Sequence, residues 1–276
     1  MADSSLFTRE GKYLMLALDH RGSIKKLINP TMPDSVPEEE VVNLKHEIIN
    51  SLKDQFSGLL IDETYGLEAY PKHTKPFLLP VEKSGYTDKL GERLTELEYS
   101  VKQLKGYGAS GAKILLYFNP NVPSVNQQLV TAKQVLLECQ QANFPYFLEI
   151  RVYDPQTGDE IEERVEELVL GSLKMLIEGG VVPDVWKLEY PGSLEGCQRV
   201  TKLVGATPWI LLTKGSTFNK FTEELQEAVQ AGCVGFLAGR ALWQDIGQLQ
   251  GVERERFLKE DLPERFKQIS GIVASR

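Results

Sequence analysis

The chain has 276 residues, of which 39 are acidic and 31 basic, a formal net charge of −8 that disfavours a nucleic-acid partner, because phosphate neutralisation needs clustered Lys and Arg. Its three His (His20, His46, His73) match no zinc-binding spacing. Its three Cys (Cys139, Cys197, Cys233) form no CxxC pair and suit free thiols in a reducing compartment.

Residues 1–12 are polar, with no apolar leader segment, and no apolar run approaches the ~20 residues of a membrane span. A soluble, cytoplasmic protein without membrane partners is expected. No Pro/Gly/Ser-rich linker divides the chain, so residues 1–276 are expected to form a single domain. In chain order, eight apolar runs are predicted as strands: residues 13–19, 58–62, 76–82, 113–118, 146–152, 184–188, 209–213 and 234–238. Amphipathic segments between them are predicted as helices. Residues 38–55 place Val41, Val42, Leu44, Ile48, Ile49 and Leu52 on one stripe, with Asp34 or Ser35 as the cap. Further helices are expected at residues 88–104, 125–141, 159–178, 193–204, 222–231 and 254–270. Gly106, Gly108, Gly179, Gly180, Gly205 and Gly232 stand near their ends, where left-handed C-caps occur.

Alternating strands and helices require a parallel sheet, since parallel strands need crossover connections. Eight strands in this length fit an α/β chain folded as one (β/α)₈ TIM barrel. The competing arrangement, an open doubly wound sheet, lacks its usual glycine fingerprint after an early strand.

Charged residues on inward strand positions near the C-terminal end of a barrel are functional candidates, because the interior is otherwise packed with apolar side chains. If Ile114, Leu116, Leu148, Ile150 and Leu188 face the helices, then Lys113, Glu149 and Lys187 face the lumen from three consecutive strands. A lysine becomes a nucleophile when its ammonium loses a proton, and a second ammonium with partial desolvation favours that loss. The neutral amine attacks a ketone, the resulting iminium takes up the electrons of a breaking C–C bond, and a carboxylate such as Glu149 relays protons. A purely structural Lys–Glu pair satisfies the same spacing.

Strand seven runs into Thr213-Lys214-Gly215-Ser216-Thr217, and strand eight into Ala238-Gly239-Arg240-Ala241. Each junction joins a glycine, which lets backbone N–H groups approach an anion, to a cation. These are the two places where barrels commonly hold phosphate. The first strand ends in Asp19-His20-Arg21 at the same mouth. Asp19 can bind sugar hydroxyls or cap a turn, and His20 can shuttle a proton or serve as a simple hydrogen-bond partner. Asp62, Glu63 and Glu82 add carboxylates after the second and third strands. No metal site is assigned to them.

Five segments in order resemble the class I tagatose-1,6-bisphosphate aldolase family, which includes the sulfofructose-phosphate aldolases. They are Leu16-Ala17-Leu18-Asp19-His20-Arg21-Gly22-Ser23, Ala112-Lys113-Ile114-Leu115-Leu116-Tyr117, Phe147-Leu148-Glu149-Ile150, Asp184-Val185-Trp186-Lys187-Leu188-Glu189, and Gly235-Phe236-Leu237-Ala238-Gly239-Arg240-Ala241-Leu242-Trp243. The resemblance implies a barrel with the Schiff-base lysine at Lys187, Glu149 as acid/base and Lys113 as its companion. It implies that Asp19 contacts substrate hydroxyls, that Arg240 with the Gly215–Ser216 loop holds an anionic group, and that neither metal nor cofactor takes part. Two positions depart from the family pattern. His20 stands where Gln is commoner, and Thr-Lys-Gly stands around Lys214 where small residues are usual. The expected ligand is a ketose phosphate or sulfosugar phosphate cleaved to dihydroxyacetone phosphate and an aldehyde. Alternatives are a transaldolase or aldolase for another deoxysugar phosphate, and a phosphosugar-binding regulator. A homo-oligomer through apolar residues such as Trp243 and Phe257 is a further expectation.

Overall fold

The computed structural model describes residues 2–158 and 161–275. Eight parallel strands close into a barrel. They are strand one (Tyr13–Leu18), two (Gly58–Ile61), three (Phe77–Pro80), four (Gly111–Phe118), five (Tyr146–Val152), six (Val185–Leu188), seven (Trp209–Leu212) and eight (Gly235–Ala238). Strand one pairs with strand eight to complete the ring, with Tyr13 opposite Gly235 and Met15 opposite Leu237.

The two-residue period of each strand sorts its side chains. Ile114, Leu116, Leu148, Ile150 and Leu188 belong to the outer core, packed with the helices. Met15, Leu60, Leu78, Phe147, Val185, Ile210 and Leu237 fill the lumen. Phe7, from the N-terminal turn Ser5–Phe7, plugs the lower end of the barrel edge-on to Phe147, with ring centroids 5.2 Å apart. Strands two and four have glycines there because a side chain would collide with that ring. A Cβ on Gly58 would lie 2.7 Å from Phe7, and one on Gly111 would lie 2.7 Å from Leu78 and press on Phe7 at 3.2 Å.

The helix Glu38–Leu52 buries the predicted stripe. Asp34 and Ser35 do not cap it. They lie in a separate 3₁₀ turn, Pro33–Ser35, and Pro37 occupies the cap position. Glu38, Glu39 and Glu40 complement the helix dipole instead. The helices Val125–Ala142, Leu194–Val204 and Phe218–Ala231 follow strands four, six and seven as expected. After strand five the helix is Val165–Glu178, preceded by the 3₁₀ turn Glu162–Arg164, and the predicted start at residues 159 and 160 falls outside the described residues. Gly108, Gly180, Gly205 and Gly232 take positive φ, whereas Gly106 is helical and Gly179 is right-handed.

Two predicted helices differ. Residues 88–104 fold as a hairpin, Thr87–Lys89 against Glu92–Leu94, and the helix shrinks to Val101–Gly106. Leu90 and Gly91 form its tip at φ 57° and 83°, a two-residue left-handed turn that no α-helix contains. Arg93 fixes the hairpin by lying over the rings of Tyr86, Tyr153 and Tyr117, at 4.8, 5.1 and 5.6 Å. The C-terminal helix widens into a π turn at Phe257–Asp261, before Leu262–Ala274. Pro263 explains this, since it has no N–H to give the preceding turn.

Trp243 and Phe257 are buried within this chain, and Trp243 Nε1 donates to the Ala17 carbonyl at 3.2 Å. They therefore provide no surface for association. Cys139, Cys197 and Cys233 are buried free thiols. Among the described residues no helix is long and apolar enough to cross a membrane.

Closure of the ring depends on Gly235, where a Cβ would sit 2.1 Å from the Tyr13 carbonyl oxygen. Backbone cannot yield there without breaking the pairing of strands one and eight. Gly235→Ala is expected to lower the unfolding free energy by roughly 3 kcal/mol or more, measured by urea denaturation.

Candidate active site

Above its apolar floor the lumen becomes charged. Strand pairing places Glu149 directly beside Lys187, and Lys113 enters from strand four one pleat lower. Their side chains converge in a cavity of about 410 Å³ at the C-terminal ends of the strands. Lys187 Nζ lies 2.7 Å from Glu149 Oε2, and Lys113 Nζ lies 3.2 Å from the same oxygen. Lys113 also donates to Glu82 Oε1 at 2.6 Å and to Asp19 Oδ2 at 3.0 Å. All three central residues are buried, with Lys113 at 2%, Lys187 at 4% and Glu149 at 7% exposure.

The two lysines are thus not equivalent. Burial works against the Lys113 charge, but Asp19, Glu82 and Glu149 around it hold its pKa well above the ordinary lysine value. Lys113 is a fixed cation. Burial likewise pushes Glu149 up, yet Lys187 and Lys113 outweigh it and hold the carboxyl below its usual range. Asp19 follows the same pattern, its burial being outweighed chiefly by Lys113. Glu82 differs, because burial dominates over Lys113 and its carboxyl is raised. Its second oxygen, Oε2, is buried in the wall of the cavity and has no hydrogen-bond partner among the described residues.

His20 sits beside Asp19 with its ring edge-on to Trp243, centroids 5.0 Å apart. Burial depresses it to about 4, so it is neutral near pH 7. Its Nδ1 is 3.8 Å from Asp19 Oδ1, too far for a hydrogen bond. Gly239 keeps its space clear, since a Cβ would come within 3.0 Å of His20 Cε1. Arg21 lines the rim and is directed to the Glu82 carbonyl and Glu98 Oε2, both at 3.3 Å.

Strands seven and eight shape the neighbouring stretch of the rim, next to strand one. Thr213–Ser216 is a tight turn closed by Ser216 N–H donating to Thr213 O at 2.8 Å. Lys214 and Gly215 are both left-handed, at φ 47° and 75°. Gly215 lies against Arg240 so closely that a Cβ would be 2.8 Å from its guanidinium. Among the described residues Arg240 makes no ion pair and no hydrogen bond, and burial together with Arg151 pulls its pKa below the ordinary arginine value. Lys214, which also lines the cavity, is by contrast ion-paired, its Nζ 2.7 Å from Glu189 Oε2.

The structure therefore gathers Lys113, Glu149, Lys187 and Asp19 into one cluster, and sets Gly215, Ser216, Gly239 and Arg240 at one rim, with His20 and Arg21 nearer strand one. Sequence reasoning passed over Glu82 as a partner of Lys113, and it missed Arg151 and Glu189 altogether. Inward parity was the available signal. Glu82 follows Pro80 by two residues, Arg151 follows Glu149, and Glu189 follows Lys187. The Arg93 stack places Tyr117 in the cavity wall as well.

A family model described as DeoC/LacD family aldolase matches residues 13–245. The tagatose 1,6-diphosphate aldolase of Staphylococcus aureus (strain JH9) is 30% identical over 274 residues, spanning 88% of this chain and 84% of that protein. Among solved structures, an archaeal fructose-1,6-bisphosphate aldolase with its catalytic Lys bound to a carbinolamine intermediate superposes with a TM-score of 0.69 at 20% identity, over 97% of this chain and 96% of that one. The fructose-bisphosphate aldolase of Plasmodium falciparum superposes with a TM-score of 0.76 at 14% identity, over 98% and 92%. These structural likenesses establish the barrel. With a family model covering most of the sequence and a relative of this identity along most of its length, the chain belongs to the DeoC/LacD family of aldolases.

Proposed function

We propose that this protein is a class I aldolase that cleaves a ketose phosphate, with Lys187 forming the Schiff base. The observation carrying the reading is the shared Glu149 oxygen. It contacts Lys187 at 2.7 Å, while Lys113 on its other side is committed to three carboxylates. Lys113 cannot easily give up a proton, whereas Lys187 has a carboxylate in place to receive one. The names of the relatives agree with this chemistry, tagatose 1,6-diphosphate for the bacterial protein and a lysine-bound carbinolamine for the archaeal one.

Glu149 takes a proton from the Lys187 ammonium, and the neutral amine adds to the substrate ketone. The protonated Glu149 returns its proton to the carbinolamine hydroxyl, which leaves as water and yields the iminium. The carbon–carbon bond one atom beyond the iminium breaks. Its electron pair moves into the iminium to give an enamine, and the hydroxyl proton of the departing half passes to a carboxylate, releasing an aldehyde. Protonation of the enamine carbon and addition of water then free dihydroxyacetone phosphate and Lys187. Throughout, Lys113 keeps Glu149 ionised between proton transfers, and Asp19 is placed to accept hydrogen bonds from substrate hydroxyls.

Arg240 supports a phosphate at the strand-eight rim, because a half-buried guanidinium with no ion-paired carboxylate among the described residues is stabilised by a bound anion. Arg21 and Lys26 after strand one and Lys83 after strand three also line the cavity and support a ketose with a second anionic group, such as tagatose or fructose 1,6-bisphosphate or sulfofructose 1-phosphate.

Borohydride added with dihydroxyacetone phosphate should attach one reduced triose phosphate to Lys187, seen by intact mass and peptide mapping. An adduct on another lysine, or none, overturns the mechanism. Glu149→Gln should lower kcat by roughly 10²- to 10⁴-fold, with the loss read in a coupled triose-phosphate assay across a panel of phosphorylated and sulfonated ketoses. Lys113→Met removes one of the two cations (Lys187 is the other) that hold Glu149 below its usual range. Its carboxyl then protonates at higher pH, and the acid limb of the kcat/KM profile should move up by about 1–2 pH units.

A further inference from the structure

We propose that Lys214 is a positioning residue for the phosphate subsite, whose ion pair with Glu189 holds the turn that seats Gly215 against the Arg240 guanidinium. The inference rests on the reading that Arg240 receives the phosphate.

Three observations meet here. First, Lys214 has φ 47°, in the left-handed region that a side chain with a Cβ enters at a cost, and Gly215 follows at 75°. Two consecutive left-handed residues closed by the Ser216 N–H to Thr213 O bond define a type I′ turn, whose first central position favours Asn, Asp or Gly over Lys. Something must offset that preference. Second, Lys214 Nζ is 2.7 Å from a carboxylate that is 1% exposed. Glu189 also accepts from the Val152 N–H at 2.7 Å and from Arg151 Nε at 3.1 Å, so it is anchored to strand five before Lys214 reaches it. The ion pair therefore ties the turn after strand seven to the ends of strands five and six. Third, what the turn delivers is contact with Arg240. The Gly215 backbone packs on the guanidinium with no room for a Cβ, and Ser216 Oγ is turned back to Thr213 O at 2.8 Å.

A lysine at this rim first suggests a direct anion ligand. In the structure its charge is instead spent on Glu189, and swinging it to a phosphate would strip a buried carboxylate of one of its cations. Lys214 acts on the anion through the backbone it holds.

The two roles separate by substitution. With the full-length protein, the half-saturating concentration for borohydride inactivation is measured with dihydroxyacetone phosphate and with unphosphorylated dihydroxyacetone. Lys214→Ala keeps the Cβ but loses the ion pair. It should raise the value for dihydroxyacetone phosphate about tenfold and leave that for dihydroxyacetone within about twofold. Lys214→Gly and Lys214→Asn adopt the left-handed conformation unaided and should recover most of the loss. If glycine and asparagine lose as much as alanine, the ammonium itself holds the phosphate and the inference is overturned. It is equally overturned if alanine loses nothing. Arg240→Met tests the underlying reading separately. It should weaken dihydroxyacetone phosphate alone, and an unchanged value removes the phosphate from Arg240 whatever the Lys214 variants show.

Discussion

One ammonium organises the upper half of this barrel. Lys113 is enclosed by Asp19, Glu82 and Glu149, which arrive from strands one, three and five. Without that central charge, buried carboxylates would repel each other and demand protons. With it, and with Lys187 on the other side, Glu149 stays ionised although it is almost wholly buried. The asymmetry between the lysines follows from counting carboxylate neighbours. The strand order of the barrel fixes that count, since Lys113 stands between strands three and five while Lys187 meets Glu149 on one flank and Ile210 on the other.

The same reasoning explains why the lumen changes character halfway up. The lower positions, from Phe7 and Tyr13 to Leu237, are apolar and sealed, and they deny water a path from below. Lys113, Glu149 and Lys187 above that floor are almost wholly buried, so each pairing is stronger than it would be in solvent, and each unpaired group costs more. Arg240 is the exception that gives the cavity its polarity. It is a cation with no protein counter-charge among the described residues, held at the end of the cavity where the Thr213–Ser216 turn closes.

Much of this was legible before any coordinates. Strands buried on both faces read as apolar runs, and the two-residue period put Lys113, Glu149 and Lys187 on the inward side because Ile114, Leu148 and Leu188 had to meet the helices. Residues 88–104 misled because Leu90, Leu94 and Leu97 mimic a helical spacing, while the left-handed Leu90–Gly91 tip gives only one glycine as warning. The fate of Lys214 was not legible either. It depends on a turn conformation and on Glu189, a residue 25 positions earlier whose orientation is known only once strands six and seven are side by side. Local spacing reports which face a side chain takes. It does not report which distant charge claims it.

Phe7 carries a consequence for the order of assembly. It lies ahead of the first strand, yet the surfaces that receive it belong to Gly58, Gly111 and Phe147, on strands two, four and five. Its seat therefore does not exist until more than half of the ring has come together, and contacts so far apart along the chain form late. The plug is synthesised among the first residues and finds its seat only after strand five has joined the ring. It is a latch on closure, so the charged layer above it gains its apolar floor only once those strands are in place.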